Sequence, residues 1–181
     1  MKALPNKWAW LAAEKAPKIL IAALAFYGLK EILGKLHNQT IMGWAKELGI
    51  TWYENDETAW CGLFMGKCAK DAGYPYKPFH LILGAKYWVN YGNPVAKGKE
   101  MLADIMVFSR VGGEHVGLYV AESADHFLVL GGNQSNEVGF SFKKKSELIG
   151  ARRTPFEIGQ PANIRKIHVN YDGTLLSKSE A

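Results

Sequence analysis

Apolar positions recur at helical spacing in the first half of the chain and alternate in the second. The longest apolar run is Ile19 to Leu29, and Pro17 suits the first turn of a helix that reaches Gly28 or Gly34. A second helix is predicted over 38–48. Asn38 is its N-cap, Ile41, Met42, Trp44, Ala45 and Leu48 share its apolar face, and Gly49 is its stop. Residues 50–60 read as a loop with an acidic centre, Glu54-Asn55-Asp56-Glu57. A third helix follows from Trp60 to Ala72, capped by Asp56 or Thr58 and ended by Gly73. Proline and glycine punctuate 73–100, with a short helix at 82–90.

From Ile105 onward the period changes to two. Residues 105–109, 115–121, 127–130 and 138–142 are expected strands, separated by turns at Gly112-Gly113, 122–126 and 131–137. Helices followed by hairpin-linked strands imply an α+β fold, with N-terminal helices packed on an antiparallel sheet. Three stretches follow: an arm at 1–16, attached through Trp8, Trp10 and Leu11; a body at 17–155; and an extension at 156–181, with a late strand at 164–169 and a frayed end.

Composition narrows the class. At 181 residues and 48% hydrophobic content the chain can bury one core. The apolar run at 19–29 is about half of what a membrane span requires, so no transmembrane segment is expected. Glu14 upstream of it, and Lys30-Glu31 directly after it, argue against a cleaved signal peptide. The net charge of +5 favours an anionic surface. Its lysines and arginines are scattered, apart from Lys143-Lys144-Lys145 and Arg152-Arg153, and no nucleic-acid-binding motif accompanies them. No zinc-type spacing, Walker loop or dinucleotide fingerprint occurs, so neither a metal nor another cofactor is expected.

Two cysteines remain, Cys61 and Cys68. Seven helical residues separate them by about 10.5 Å, too far for a disulfide. Cys68 lies mid-helix as a small hydrophobe. Cys61 opens its helix, where free N–H groups and the helix dipole favour a thiolate. His115 opens an alternating strand whose apolar side is Val116, Leu118 and Val120, so the imidazole points to the opposite side, free to act as a base. A hairpin centred on Ala124 sets Asn133 opposite His115, able to orient the ring, and a one-residue slip removes it. Asp104 and Glu114 are the other candidates for that task. Trp60, Tyr53 and Trp88, with Trp52 and Tyr87 beside them, are candidates to line a substrate cleft.

Together these segments resemble a known family. Trp60-Cys61-Gly62-Leu63-Phe64-Met65 with Ala72-Gly73-Tyr74-Pro75 is similar to the nucleophile helix of CHAP/NlpC-type peptidoglycan hydrolases of phages and bacteria. Ala103-Asp104-Ile105-Met106-Val107-Phe108, His115-Val116-Gly117-Leu118-Tyr119-Val120 and Val129-Leu130-Gly131-Gly132-Asn133-Gln134 follow in the same order. The likeness spans roughly 17–155. Some relatives carry an acid where this chain has Gly131. The resemblance implies a papain-like site with Cys61 as nucleophile, His115 as base and Asn133 as third member. It further implies an endolysin-like monomer, without a leader, that stays in the host cytoplasm until released to cut amide bonds of the wall peptide. An antibacterial toxin of the same chemistry and a non-catalytic envelope-binding module are the alternatives.

Overall fold

The computed structural model describes residues 2–15, 17–75, 79–157 and 159–176. The helices α1 (Lys18–Leu24), α2 (Gln39–Glu47), α3 (Cys61–Asp71) and α4 (Phe79–Ile82) precede six strands: β1 (Asn93–Val95), β2 (Ile105–Arg110), β3 (Gly113–Glu122), β4 (His126–Gln134), β5 (Glu137–Lys144) and β6 (Leu148–Arg153). The strands form one antiparallel sheet in the order β1-β6-β2-β3-β4-β5, which makes the fold α+β.

Local chemistry explains the helices. Asn38 caps α2, its side-chain oxygen accepting from Thr40 N at 2.9 Å and Ile41 N at 3.4 Å. Neither Asp56 nor Thr58 caps α3; its N-cap is Trp60, without a side-chain bond. Asp56 instead turns away to accept from Ile32 N (2.9 Å) and Asn38 N (2.7 Å), which pins the loop after α1. The helix begun at Pro17 ends sooner than its apolar run implies, because residues 25–28 turn and Gly28 N bonds to Val138 O at 2.9 Å. The helix expected at 82–90 is split into α4 and a 3₁₀ turn at Ala85–Asn90.

The expected strands are present and longer. Two short ones, β1 and β6, carry no alternation legible in Asn93-Pro94-Val95 or Leu148-Ile149-Gly150. The segment 164–169 makes isolated bridges, such as Glu122 to His168, rather than a strand.

One face of the sheet packs Ile105, Val107, Val116, Leu118, Leu128 and Leu130 against α1–α3. The other face, toward which His115 is expected to point, away from the apolar side, buries a second cluster of Met106, Phe108, Tyr119, Phe127, Val129 and Ala151. The reason is curvature. In a flat sheet the end of β5 and the start of β6 would lie about 19 Å apart across the strands between them. Only Lys145–Glu147 link them, and four chain steps reach about 14 Å. The sheet therefore curls, and its concave side closes into a second core.

Arm and extension both join the main core. Leu11, Ile167 and Val169 are buried in it, and Trp8 Nε1 donates to Gly173 O at 3.1 Å. The final residues, read as frayed, lie outside the described residues. Among the described residues no helix is long and apolar enough to cross a membrane.

A methyl group on Gly132 would sit 2.6 Å from Phe64 Cβ and 2.7 Å from the Trp60 ring, whereas one on Gly43, inside α2, meets nothing within 4 Å. Gly132→Ala is expected to cost about 1–3 kcal/mol in urea unfolding. Gly43→Ala is expected to stabilise by about 0.4–1 kcal/mol, and equal effects of the two would contradict this packing.

Candidate active site

The hairpin register predicted about Ala124 holds where Leu118 faces Leu130 and Tyr119 faces Val129. Beyond Leu130 the β3–β4 ladder opens, at Gly131-Gly132. The first turn of α3 approaches this opening from the helical face, with Trp60 and Phe64 against Gly132. From the concave face comes His115, whose Nε2 lies 3.1 Å from where a Gly131 Cβ would stand. The two glycines thus admit a helix on one side and an imidazole on the other.

Cys61 is the first residue of α3 and is 2% exposed. The backbone N–H of Val116 is directed at its sulfur, as are those of Gly62 and of Cys61 itself. Val116 directly follows His115, so the sulfur sits at the start of β3. Burial pushes the thiol up; the three amides and the positive charge of Arg110 pull it back only in part. The helix terminus therefore does not yield a resting thiolate, contrary to the expectation from position alone. Cys68 is fully buried in α3, and its thiol is pushed well up.

His115 is also 2% exposed. Burial drives its pKa down to about 3, with Lys143 and Arg110 adding to the effect. The resting pair is a neutral thiol and a neutral imidazole. Nε2 is buried without a hydrogen-bond partner, a state shared among the described residues only by Trp10 Nε1. An unmet buried acceptor or donor costs about 1–3 kcal/mol, and such an outlier calls for an explanation in chemistry.

The third position differs from expectation. Asn133 adopts a left-handed φ of 54°, and a register shift separates Gly131 from Gln134. The shift lies in the β4–β5 pairing; the β3–β4 ladder has already ended at Leu118–Leu130, so no pairing sets Asn133 opposite His115, and its side chain makes no hydrogen bond among the described residues. Gln134 takes its place against His115. The carboxamide does not itself complete a bond to Nε2. Its nitrogen donates to Gly139 O (2.5 Å) and Val129 O (3.1 Å), and its oxygen accepts from Ser141. The two other candidates have different tasks: Asp104 accepts two bonds from Arg153, each at 2.7 Å, and Glu114 falls on the opposite face from His115.

The aromatic candidates are structural. Trp60 is fully buried, with Nε1 donating to Glu31 at 3.0 Å. Tyr53 is buried with its hydroxyl on Thr58 O, and burial raises its pKa. Trp88 is buried with Nε1 on Ile82 O at 2.9 Å. None is free to touch a substrate in this conformation. Their sequence neighbours Trp52 and Tyr87 are the ones at the surface, 56% and 50% exposed. Among the described residues no group of three or more His, Cys, Asp or Glu is placed to hold a metal ion.

Comparison with protein-family models and with curated proteins finds no match to this chain. What the site can do therefore rests on its own geometry: a buried thiol with the Val116 amide directed at it and, one residue before Val116 and turned to the other face of the sheet, a buried imidazole with an unmet nitrogen that makes no hydrogen bond to the sulfur.

The depressed pKa of His115 sets a pH dependence of stability. Below about 6.5 the unfolded chain binds a proton at His115, while the folded protein takes none until about 3. Stability from this group is complete above 6.5 and declines as pH falls through that window. Wild-type stability is expected to fall by up to about 1.4 kcal/mol per pH unit more steeply than that of His115→Gln between pH 6 and 4, read from urea melts. Parallel curves would contradict a neutral, buried imidazole.

Proposed function

We propose that the protein is a cysteine-dependent hydrolase that cleaves amide bonds in the peptide part of bacterial peptidoglycan, as an endolysin does after release to the wall. The observation that supports this best is that the Val116 N–H directed at the Cys61 sulfur directly follows His115, whose buried ring is unpartnered, where the β3–β4 ladder opens. The substrate assignment comes from the ordered resemblance of the motifs around those residues to CHAP/NlpC-type hydrolases.

In this reading His115 takes the Cys61 proton as sulfur attacks the amide carbonyl, so that charge separates only while the bond forms. The N–H groups of Cys61, Gly62 and Val116 supply donors for the oxyanion. The imidazolium then protonates the leaving amine. Water adds to the thioester, His115 accepts its proton, and the carboxylic acid departs as the thiol is restored. Gln134, itself held by Ser141, lies against the ring.

Burial of Cys61 favours a second reading, a module that binds the envelope without cutting it. Mass spectrometry of digested peptidoglycan separates the two, and it also tells an N-acetylmuramoyl-L-alanine amidase from a stem-peptide endopeptidase. New amine and acid ends are expected with the wild type and with Cys68→Ala, and none with Cys61→Ala of unchanged melting behaviour. Equal wall digestion by Cys61→Ala would falsify the mechanism.

The third position gives a separate check. Gln134→Ala is expected to lower kcat on the order of 10²-fold by loosening the ring. Asn133→Gly, which keeps the left-handed backbone, is expected to stay within about 2-fold of wild type. The reverse order would return the orienting role to Asn133.

A further inference from the structure

The concave face that carries His115 also carries two cations without a counter-ion among the described residues. Strand pairing fixes this placement. Phe108 faces His115, and Arg110 lies two residues further along β2 on the same side, opposite Gly113. Phe127 faces Lys143 across β4 and β5. The rings of Phe108 and Phe127 meet with centroids 6.2 Å apart, which draws the ends of β2 and β5 toward one another over the curled sheet. Arg110 and Lys143 both bear on His115 electrostatically, and they repel each other.

Neither cation has a hydrogen bond or ion pair among the described residues. Lys67, Lys145, Lys166 and Arg153 are likewise half-buried, and each has a carboxylate within 3.2 Å. Lys143 is half-buried without one; Glu147 attracts it from a distance but forms no ion pair with it. A desolvated lysine beside an arginine is unfavourable unless an anion joins them.

Building on the proposed hydrolysis, we infer that Arg110 and Lys143 form an anion subsite that receives a free carboxylate carried by the substrate beside the amide bond Cys61 attacks. Arg110 offers a planar fork for two carboxylate oxygens, and Lys143 offers a point charge from the opposite strand. Bound there, the carboxylate offsets the two charges that disfavour the His115 cation. Binding of the right substrate thereby makes the imidazole a better base.

Alkylation tests the subsite without requiring turnover. Cys61 is treated with iodoacetate, which carries a carboxylate, and with iodoacetamide, which is neutral, and its modification is followed by peptide mass spectrometry. The iodoacetate-to-iodoacetamide rate ratio is expected to exceed that of N-acetylcysteine by about tenfold. It is expected to return to the N-acetylcysteine value in Arg110→Gln/Lys143→Gln. Should the double variant fail to fold, Arg110→Gln alone, altered at an exposed position, is expected to lower the ratio. A wild-type ratio equal to that of the free thiol overturns the subsite, and a raised ratio that survives the substitutions overturns its assignment to these two residues. Wall digestion does not enter this readout, so failure of the subsite and failure of the proposed hydrolysis are told apart.

Discussion

The contact on which the site depends is made by an absence of side chains. Where β4 passes Gly131 and Gly132, the sheet has room on both faces for groups that ordinary residues would exclude. Trp60 and Phe64 settle against one glycine, the His115 ring against the other, and the ladder gap leaves the Val116 N–H to the Cys61 sulfur. Close packing makes this arrangement discrete, since any added methyl forces backbone or an aromatic ring to move. The start of α3 is held from behind as well: a Cβ on Gly62 would strike the Leu83 carbonyl oxygen at 2.5 Å. Sulfur and imidazole are thus placed by three glycines and not by a hydrogen bond between them.

Electrostatics at the site is dominated by exclusion of water. Helix position and three amide donors favour the thiolate, yet burial outweighs them. Burial likewise outweighs whatever Gln134 contributes to the imidazolium. A buried ion pair repays its desolvation only with good geometry and added partners, so the neutral pair is the stable resting form. Charge then has to be admitted by something that enters the site, which is why the unpaired cations on the concave face matter to the chemistry and not only to solubility.

Much of this was legible in residue order. Asn38 as a cap, the helix starting at Cys61, a strand through His115 (begun two residues earlier, at Gly113) and the hairpin register near Leu118 all follow from local rules. The failures share a cause, which is long-range geometry. Alternation in β3 predicts one apolar face with His115 turned away from it, but the curl of the sheet buries Tyr119 and His115 nearly as deeply as Leu118. Trp60, Tyr53 and Trp88 have polar tips that suit a cleft, yet those tips are taken by Glu31, Thr58 and Ile82. The exchange of Asn133 for Gln134 had a visible signal: two glycines followed by asparagine, after glycine the residue most tolerant of a left-handed backbone, at a place where a strand bulges.

The strand order has a consequence for how the chain is made. The last strand, β6, does not lie at the edge but inserts between β1 and β2. During synthesis β2 exists, with its outer hydrogen-bonding groups unpaired, through the making of some forty residues before Leu148–Arg153 arrive to cover them. An open apolar edge invites pairing with other chains. The nascent protein therefore passes through an interval in which it is prone to self-association, ended only by insertion of a short, doubly charged segment whose Arg153 locks onto Asp104 at the head of β2.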